Sequence, residues 1–308
     1  MDTTAPRPRK RLAIFRTADP VLTPLIKACG YSAILFVIMI FVFLWSEGFA
    51  ALGEVSLKNL FSARWYPIEE YFGLLPLIGG SLLVTLGAAL FAVPIGVLTA
   101  VYISEVAPRW MREVLKPVIE ILGGLPSVVL GFLGILVLAP FLRKLLDLPT
   151  GLTALAGSIL LGAISIPIIV SIAEDALDAV PRSYRDASLA IGATRWQTIW
   201  RVTLPAARSG VFTAIMLGIG RAIGETMTVM MVSGNAAVLP SGLRALFEPV
   251  RTMTATIAAE MGEVATGSVH YLVLFLIGII LFLISLVVNV SASLLIQRRQ
   301  KRSERVLS

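Results

Sequence analysis

Arg221 and Glu225 stand one helical turn apart inside a stretch, 209–233, that is otherwise free of charge. A charged side chain at the centre of a membrane span costs on the order of 2.5–3.5 kcal/mol, so each needs a partner or a water-filled path. The planar fork of an arginine matches the oxygens of a tetrahedral oxyanion, and a nearby carboxylate can hold that fork while no anion is present. Two roles fit the pair. One is an internal salt bridge that neutralises both groups; the other is a positive charge that an oxyanion meets in passage, with Glu225 occupying the guanidinium between events. Both can hold in different states of one cycle. The bridge alone has an unfavourable orientation, because the better intrahelical order puts the acid before the base. On a continuous helix Ala214, Gly218 and Thr228 share this face, a stripe of small and polar groups that could line a passage. Gly220 and Gly224, at small-xxx-small spacing, offer close packing to a neighbouring helix.

A second constellation lies just before this stretch. Asp186-Ala187-Ser188 is followed after three residues by Gly192, and after nine more by Val202-Thr203-Leu204-Pro205. The spacing predicts a short helix, a glycine break and a second short helix stopped by proline. A basic helix-turn-helix that reads DNA has the same outline, but about three dozen residues separate the flanking spans. That leaves no room for the soluble domain such a reader needs. The array resembles the "EAA" loop of ABC-importer permeases, Glu-Ala-Ala, three residues, Gly, nine residues, Ile, one residue, Leu-Pro. Asp186, Ser188 and Val202 replace the usual Glu, Ala and Ile, and every register position is kept. The resemblance implies a coupling helix seated in a groove of an ATP-hydrolysing subunit, with Asp186, Ala187, Gly192, Leu204 and Pro205 as its residues. Ala187, Gly192 and Leu204 are small or apolar, which favours docking by shape over docking by charge.

The elements that must position these residues are set by composition. Of 308 residues 57% are hydrophobic and 15% charged, and the mean hydropathy is +0.88. Such a chain is an integral membrane protein. Runs of about 20 apolar residues, enough to cross roughly 30 Å of hydrocarbon, predict six spans near 27–50, 77–103, 117–141, 152–174, 209–233 and 270–296. The fold class is therefore an all-α polytopic membrane protein with six transmembrane helices, resembling a type I ABC importer permease. The expected organisation is a basic tail at 1–26, a permease domain at 27–296 with the coupling loop near 181–205, and a basic tail at 297–308. The first span is too long for a cleaved signal and no small-residue cleavage site follows it. Cys29 stands alone, which excludes an internal disulfide and a cysteine metal cluster.

Lys and Arg are divided unequally between alternate loops. The N-terminal tail, the 104–117 and 175–208 loops and the C-terminal tail hold 18, against 6 in the other loops. Counted by the positive-inside rule, both termini and those two loops face the cytoplasm. The net charge of +7 then reads as a topology signal and an attraction to lipid headgroups, with no nucleic-acid partner required. No Gly-x-x-x-x-Gly-Lys-Ser/Thr loop occurs, so any ATP hydrolysis belongs to a partner; the resemblance implies a transport subunit without an ATPase site of its own.

Local features complete the expectations. Trp65, Tyr66, Tyr71 and Phe72 suit an interfacial first outer loop. Gly79-Gly80 marks where an interfacial lead-in gives way to the second span. Gly123-Gly124, Pro126 and Gly131 interrupt the third span, and freed backbone groups at depth require a buried or cavity-lining position. Glu174 and Asp175 read as solvated helix ends, and Met253–Met261 as a short helix lying on the outer surface. A single histidine, His270, cannot make a zinc site, so no metal and no cofactor are expected.

Arg221-Ala222-Ile223-Gly224-Glu225-Thr226 resembles a signature of phosphate-specific permeases. Thr254-Ala255-Thr256-Ile257-Ala258, Glu260-Met261-Gly262-Glu263 and His270-Tyr271 are similar to one of that system's two permease subunits. The resemblance runs from about residue 70 to 296. It implies a heterodimer with a second permease subunit, two ATPase subunits and an extracytoplasmic phosphate-binding protein, in a prokaryotic inner membrane. Sulfate and molybdate permeases share the loop and carry tetrahedral dianions, so they are the nearest alternative. A secondary transporter would show paired repeats and ion-coupling acids at mid-membrane, and Glu225 is the only acid at depth.

Overall fold

The computed structural model describes residues 12–307, and side chains from 22 to 291 apart from 243. Arg7, Arg9, Lys10 and Arg11 of the basic N-terminal tail lie outside the described residues, as do the side chains of Arg16 and of the arginines at 298–305.

The first span is α1 (Leu12–Glu54). The loop after it holds α2 (Leu57–Leu60) and a two-stranded antiparallel ribbon, β1 (Trp65–Tyr66) and β2 (Tyr71–Phe72). The second span is α3 (Leu75–Val101), prolonged by a π turn at Tyr102–Val106. Then come α4 (Arg109–Gly123), α5 (Ser127–Leu133) and α6 (Ala139–Leu145), the last two joined by a π turn into one span. The fourth span is α7 (Ala154–Asp178), and α8 (Arg182–Ala190) follows in the next loop. The fifth begins with α9 (Arg195–Thr198), passes a π turn at Ile199–Thr203 and continues as α10 (Leu204–Gly224) and α11 (Met227–Val232). The chain ends with α12 (Met253–Glu260) and the long α13 (Val269–Leu307). Among the described residues six helical segments are long and apolar enough to cross a membrane.

Helices α3, α7 and α10 form the centre. Lipid tails are as apolar as leucine, so association rests on close packing at small residues. A Cβ at Gly96 would lie 2.7 Å from Ile169, one at Gly218 2.5 Å from the same side chain, and Gly210 lies against Ala176. Ala88, Ala92, Ala173 and Ala214 are buried along these seams. By contrast α1 is exposed over most of its described side chains from 22 to 54 and packs on α13, where Gly48 meets Ile279 and Phe41 meets Phe282.

Several expectations are corrected here. The fifth span is not one helix: α10 ends at Gly224, and Glu225 adopts an extended conformation before α11. Ala214 and Gly218 are consumed in packing against α7, so the stripe expected to line a passage is closed; Gly224, expected to pack, has open space beside it. Pro205 does not stop a helix. It sits in the first turn of α10, and the preceding π turn relieves the clash between its ring and the carbonyl four residues back. Gly79-Gly80 lies within continuous α3, and Gly80 allows the Arg251 carbonyl to approach the helix. The interruption expected in the third span is complete: α4 runs beside α7, with Lys116 against Glu174 and Gly123 against Pro167, and the chain restarts as α5.

Segment α12 does not lie on a surface. Met253, Thr254, Ala255 and Thr256 are buried, Ser81 of α3 accepts a hydrogen bond from the Met253 amide at 2.9 Å, and Thr252 caps the helix. Its small side chains let it enter the bundle, where threonine hydroxyls satisfy the backbone.

Candidate functional site

Two chain breaks and a helix from an outer loop come together. Gly124-Leu125-Pro126 separates α4 from α5, Glu225-Thr226 separates α10 from α11, and α12 enters from the loop after the fifth span. The Thr228 hydroxyl donates to the Ser127 carbonyl at 2.9 Å, tying α11 to the start of α5. The Thr254 hydroxyl donates to the Glu225 carbonyl at 3.1 Å, tying α12 to the break in the fifth span. The second bond satisfies the Glu225 carbonyl at the break, as non-helical backbone at this depth requires, while the first fixes α11 against the start of α5.

Arg221 Nη1 lies 2.8 Å from Glu225 Oε2, and the two ends differ sharply in exposure: the arginine side chain is 43% exposed and the glutamate 3%. The pair survives the helix break because Glu225, at the end of α10, turns its carboxylate back beneath the guanidinium. Leu217 and Gly224, one turn before and after Arg221 on α10, are exposed, as is Met227 at the start of α11. A half-neutralised guanidinium on an open face can bind an anion without leaving the site strongly charged between events. Thr228 is fully buried, so it holds the break in place and does not present its hydroxyl to a passage.

At the end that carries the basic loops, acidic residues of two spans are paired with basic residues of those loops. Glu174, 3% exposed, takes a hydrogen bond from Lys116 at 2.8 Å, and Asp175 lies 3.5 Å from the same ammonium. The bond to Glu174 raises the Lys116 pKa above its ordinary value. The sequence alone suggests solvated ends for both acids; Glu174 is instead buried by α4, whose sequence gives no sign of which face meets α7. Arg112 approaches Asp178 at 4.0 Å and donates to the Ser104 carbonyl.

In the loop between the fourth and fifth spans the expected helix, break and helix are present as α8, Gly192 and α9. Gly192 has φ +88°, a conformation that side-chain-bearing residues rarely adopt. Thr194 and Gln197 form a capping box at the start of α9, and Ser188 and Thr198 hydroxyls meet at 3.0 Å across the turn. Tyr184, Leu189, Ile191 and Trp196 stand exposed on the two sides of the turn. Ala187 is exposed as well, whereas Asp186 lines a cleft of about 420 Å³ shared with Glu105, Arg112, Asp178 and Arg182. Leu204 is half-buried and Pro205 exposed in the first turn of α10.

Residues 92–301 match the family described as the binding-protein-dependent transport system inner membrane component. The chain belongs to that family. This permease is 41% identical over 266 residues to the probable ABC transporter permease protein YqgH of Bacillus subtilis, with 85% of each chain covered. It is 31% identical over 308 residues to the phosphate transport system permease protein PstC of Mesorhizobium japonicum, covering 94% of this chain and 93% of that one. Identity to the protein of the same name from Xylella fastidiosa is 34% over 278 residues, with 84% of each covered. Among solved structures it superposes on a chain of a bacterial alginate ABC transporter in complex with an alginate pentasaccharide-bound periplasmic protein. The TM-score is 0.66 at 17% identity, with 95% of this chain and 99% of that one covered. A chain of the MetNI methionine ABC transporter gives a TM-score of 0.58 at 19% identity over 76% and 99%. These two show the fold, that of a type I ABC importer permease.

The permease is a multi-pass inner-membrane transport component, and importers of this family pair such chains with an ATPase and a substrate-binding protein. Two features of its site escaped the sequence. The meeting of α12 with the Glu225 break depends on a contact between residues 29 positions apart; the threonine run 252–256 in an apolar setting is the signal that could have placed it at depth. The other is Glu260, which pairs with Arg251 at 2.7 Å and His270 at 2.8 Å and accepts from the Trp65 indole at 3.2 Å. It anchors α12 to the first loop and to α13.

Proposed function

We propose that the chain is the permease subunit of an ATP-driven importer of inorganic phosphate. In this reading Arg221 meets the anion in the translocation path, Glu225 holds the guanidinium between transport events, and Thr228 positions the helix break on which both depend. The observation that carries it is the asymmetric pair: a buried carboxylate beneath a half-exposed guanidinium, at the level where the breaks of the third and fifth spans meet. Relatives of 31% and 34% identity that are named phosphate transport system permease proteins support phosphate over sulfate or molybdate.

The loop near 181–205 is the coupling element, with Asp186, Ala187, Gly192, Leu204 and Pro205 shaping the knob that an ATPase groove receives. The partners are a second permease subunit completing a heterodimer, two ATPase subunits, an extracytoplasmic phosphate-binding protein and membrane lipid, with no nucleic acid. The test is uptake by the purified complex in proteoliposomes. Phosphate is expected to accumulate in an ATP-dependent manner, with a tenfold excess of sulfate or molybdate competing weakly. Uptake of molybdate in preference to phosphate would overturn the assignment.

Both termini lie in the cytoplasm in this reading, because the loops rich in Lys and Arg are retained there. In a Cys29→Ser background, an impermeant thiol reagent added outside is expected to label Arg244→Cys and to leave Arg195→Cys unlabelled, both positions being exposed. The reverse pattern would invert the orientation.

A further inference from the structure

Arg185 belongs to the loop that the proposed function makes the coupling element, yet its side chain turns away from the exposed face of α8. Nε and Nη2 grip both oxygens of Glu105, at 2.6 Å from Nη2 to Oε1 and 3.1 and 3.3 Å from Nε. Nη1 donates to the Val180 carbonyl at 2.6 Å and Nη2 to the Leu177 carbonyl at 2.9 Å. The Arg185 side chain is 20% exposed and that of Glu105 9%. Glu105 lies in the π turn that ends the second span, and the two carbonyls belong to the last turn of α7 and the link that follows it. One planar group thus ties the loop helix to the ends of two spans, using the bidentate geometry that lysine cannot reproduce.

We infer that Arg185 is a positioning residue that transmits displacement of α8 to the second and fourth spans and through them to the Arg221 site. The mechanical route is short. Leu177 and Ile169 lie eight residues apart on α7, about 12 Å along a helix, and Ile169 packs directly on Gly218, one turn before Arg221. Tyr184 and Leu189 of α8 remain exposed for a partner, so that partner can push the helix while the guanidinium holds it to the bundle. Lys116 with Glu174, and Arg112 with Asp178, lash α4 to the same end of α7, and the fourth span moves with α4 and α8 as one unit.

The inference rests on the coupling reading of the loop and separates from the choice of substrate. The measurement is the ratio of ATP hydrolysed to oxyanion imported by the complete reconstituted complex, taken with whichever of phosphate, sulfate or molybdate the wild type imports. Arg185→Lys keeps the charge and loses the fork; Glu105→Gln keeps the shape and loses the ion pair. Both variants are expected to assemble, to retain hydrolysis stimulated by the loaded binding protein to within about twofold, and to import at least tenfold less anion per ATP. If the ratio stays at the wild-type value in both, Arg185 is only scaffold and the inference fails. It fails equally if hydrolysis and import fall together, or if one variant loses assembly while the other keeps the ratio. A wild type that imports only molybdate overturns the phosphate assignment and leaves the Arg185 comparison intact.

Discussion

Phosphate uptake is expected to disappear in Arg221→Gln while the complex still assembles and still binds its ATPase. Glutamine keeps most of the length and some hydrogen bonding, and removes the charge an oxyanion requires. The competing account is purely structural: the substitution strands Glu225, 3% exposed, with its counter-charge gone. Removing one partner of a fully buried pair costs about 3–5 kcal/mol, and the 43% exposure of the arginine places this site at or below the lower end. The two accounts diverge in the double variant. Arg221→Gln with Glu225→Gln has no stranded charge, so a scaffold role predicts recovery of both yield and uptake, and a substrate role predicts that assembly stays normal while uptake remains absent. Complex yield and uptake measured for the two single variants and the double decide between them. Near-normal uptake in the double would remove Arg221 from the translocation path.

What could be read from the sequence and what could not divide along the range of the interactions. Six spans follow from hydropathy, because the bilayer sets one length for every crossing helix. The helix, glycine and helix of residues 182–198 follow from spacing, because caps and a left-handed glycine are local requirements. The Arg221–Glu225 contact was also legible, and it forms despite a helix break that the run of apolar residues conceals. What the sequence concealed was which small residues pack and which stay open. Gly218 and Gly224 are indistinguishable as letters, yet one is pressed against Ile169 and the other faces open space. Charged residues are misjudged for the same reason: Glu174 and Arg185 look like solvated loop-end charges until α4 and the end of the second span are folded against them.

Convergence of the breaks also gives the site its logic. A continuous fifth span would satisfy its own backbone and could change shape only as a rod. Broken at Glu225 and Thr226, it leaves the Glu225 carbonyl to be satisfied by Thr254 and leaves α11 to be held through Thr228 and Ser127. Side-chain hydroxyls make such contacts with modest net energy, about 0.5–1.5 kcal/mol each. Bonds of that size can be exchanged during a transport cycle without unfolding the bundle.

At Gly192 the largest effect is expected from the smallest structural change. A φ of +88° is accessible to glycine without penalty, while a β-branched residue meets its own backbone there. Non-glycine residues forced into sparsely populated backbone regions cost about 1–3 kcal/mol, enough for the turn to relax to another geometry. No atom lies within 4 Å of a Cβ built at this position, so the first constraint that Gly192→Val meets is its own backbone conformation. Relaxing the turn swings Tyr184 and Leu189 on one side relative to Trp196 on the other, although all three remain exposed. The expected result is a complex of near-normal yield in which uptake falls at least tenfold and the binding protein no longer controls ATP hydrolysis. Gly192→Asn is the control, because asparagine tolerates positive φ better than other side chains; it should retain most uptake. Equal transport by the valine variant and the wild type would show that the angle between α8 and α9 does not matter, and the loop would lose its role as the coupling element.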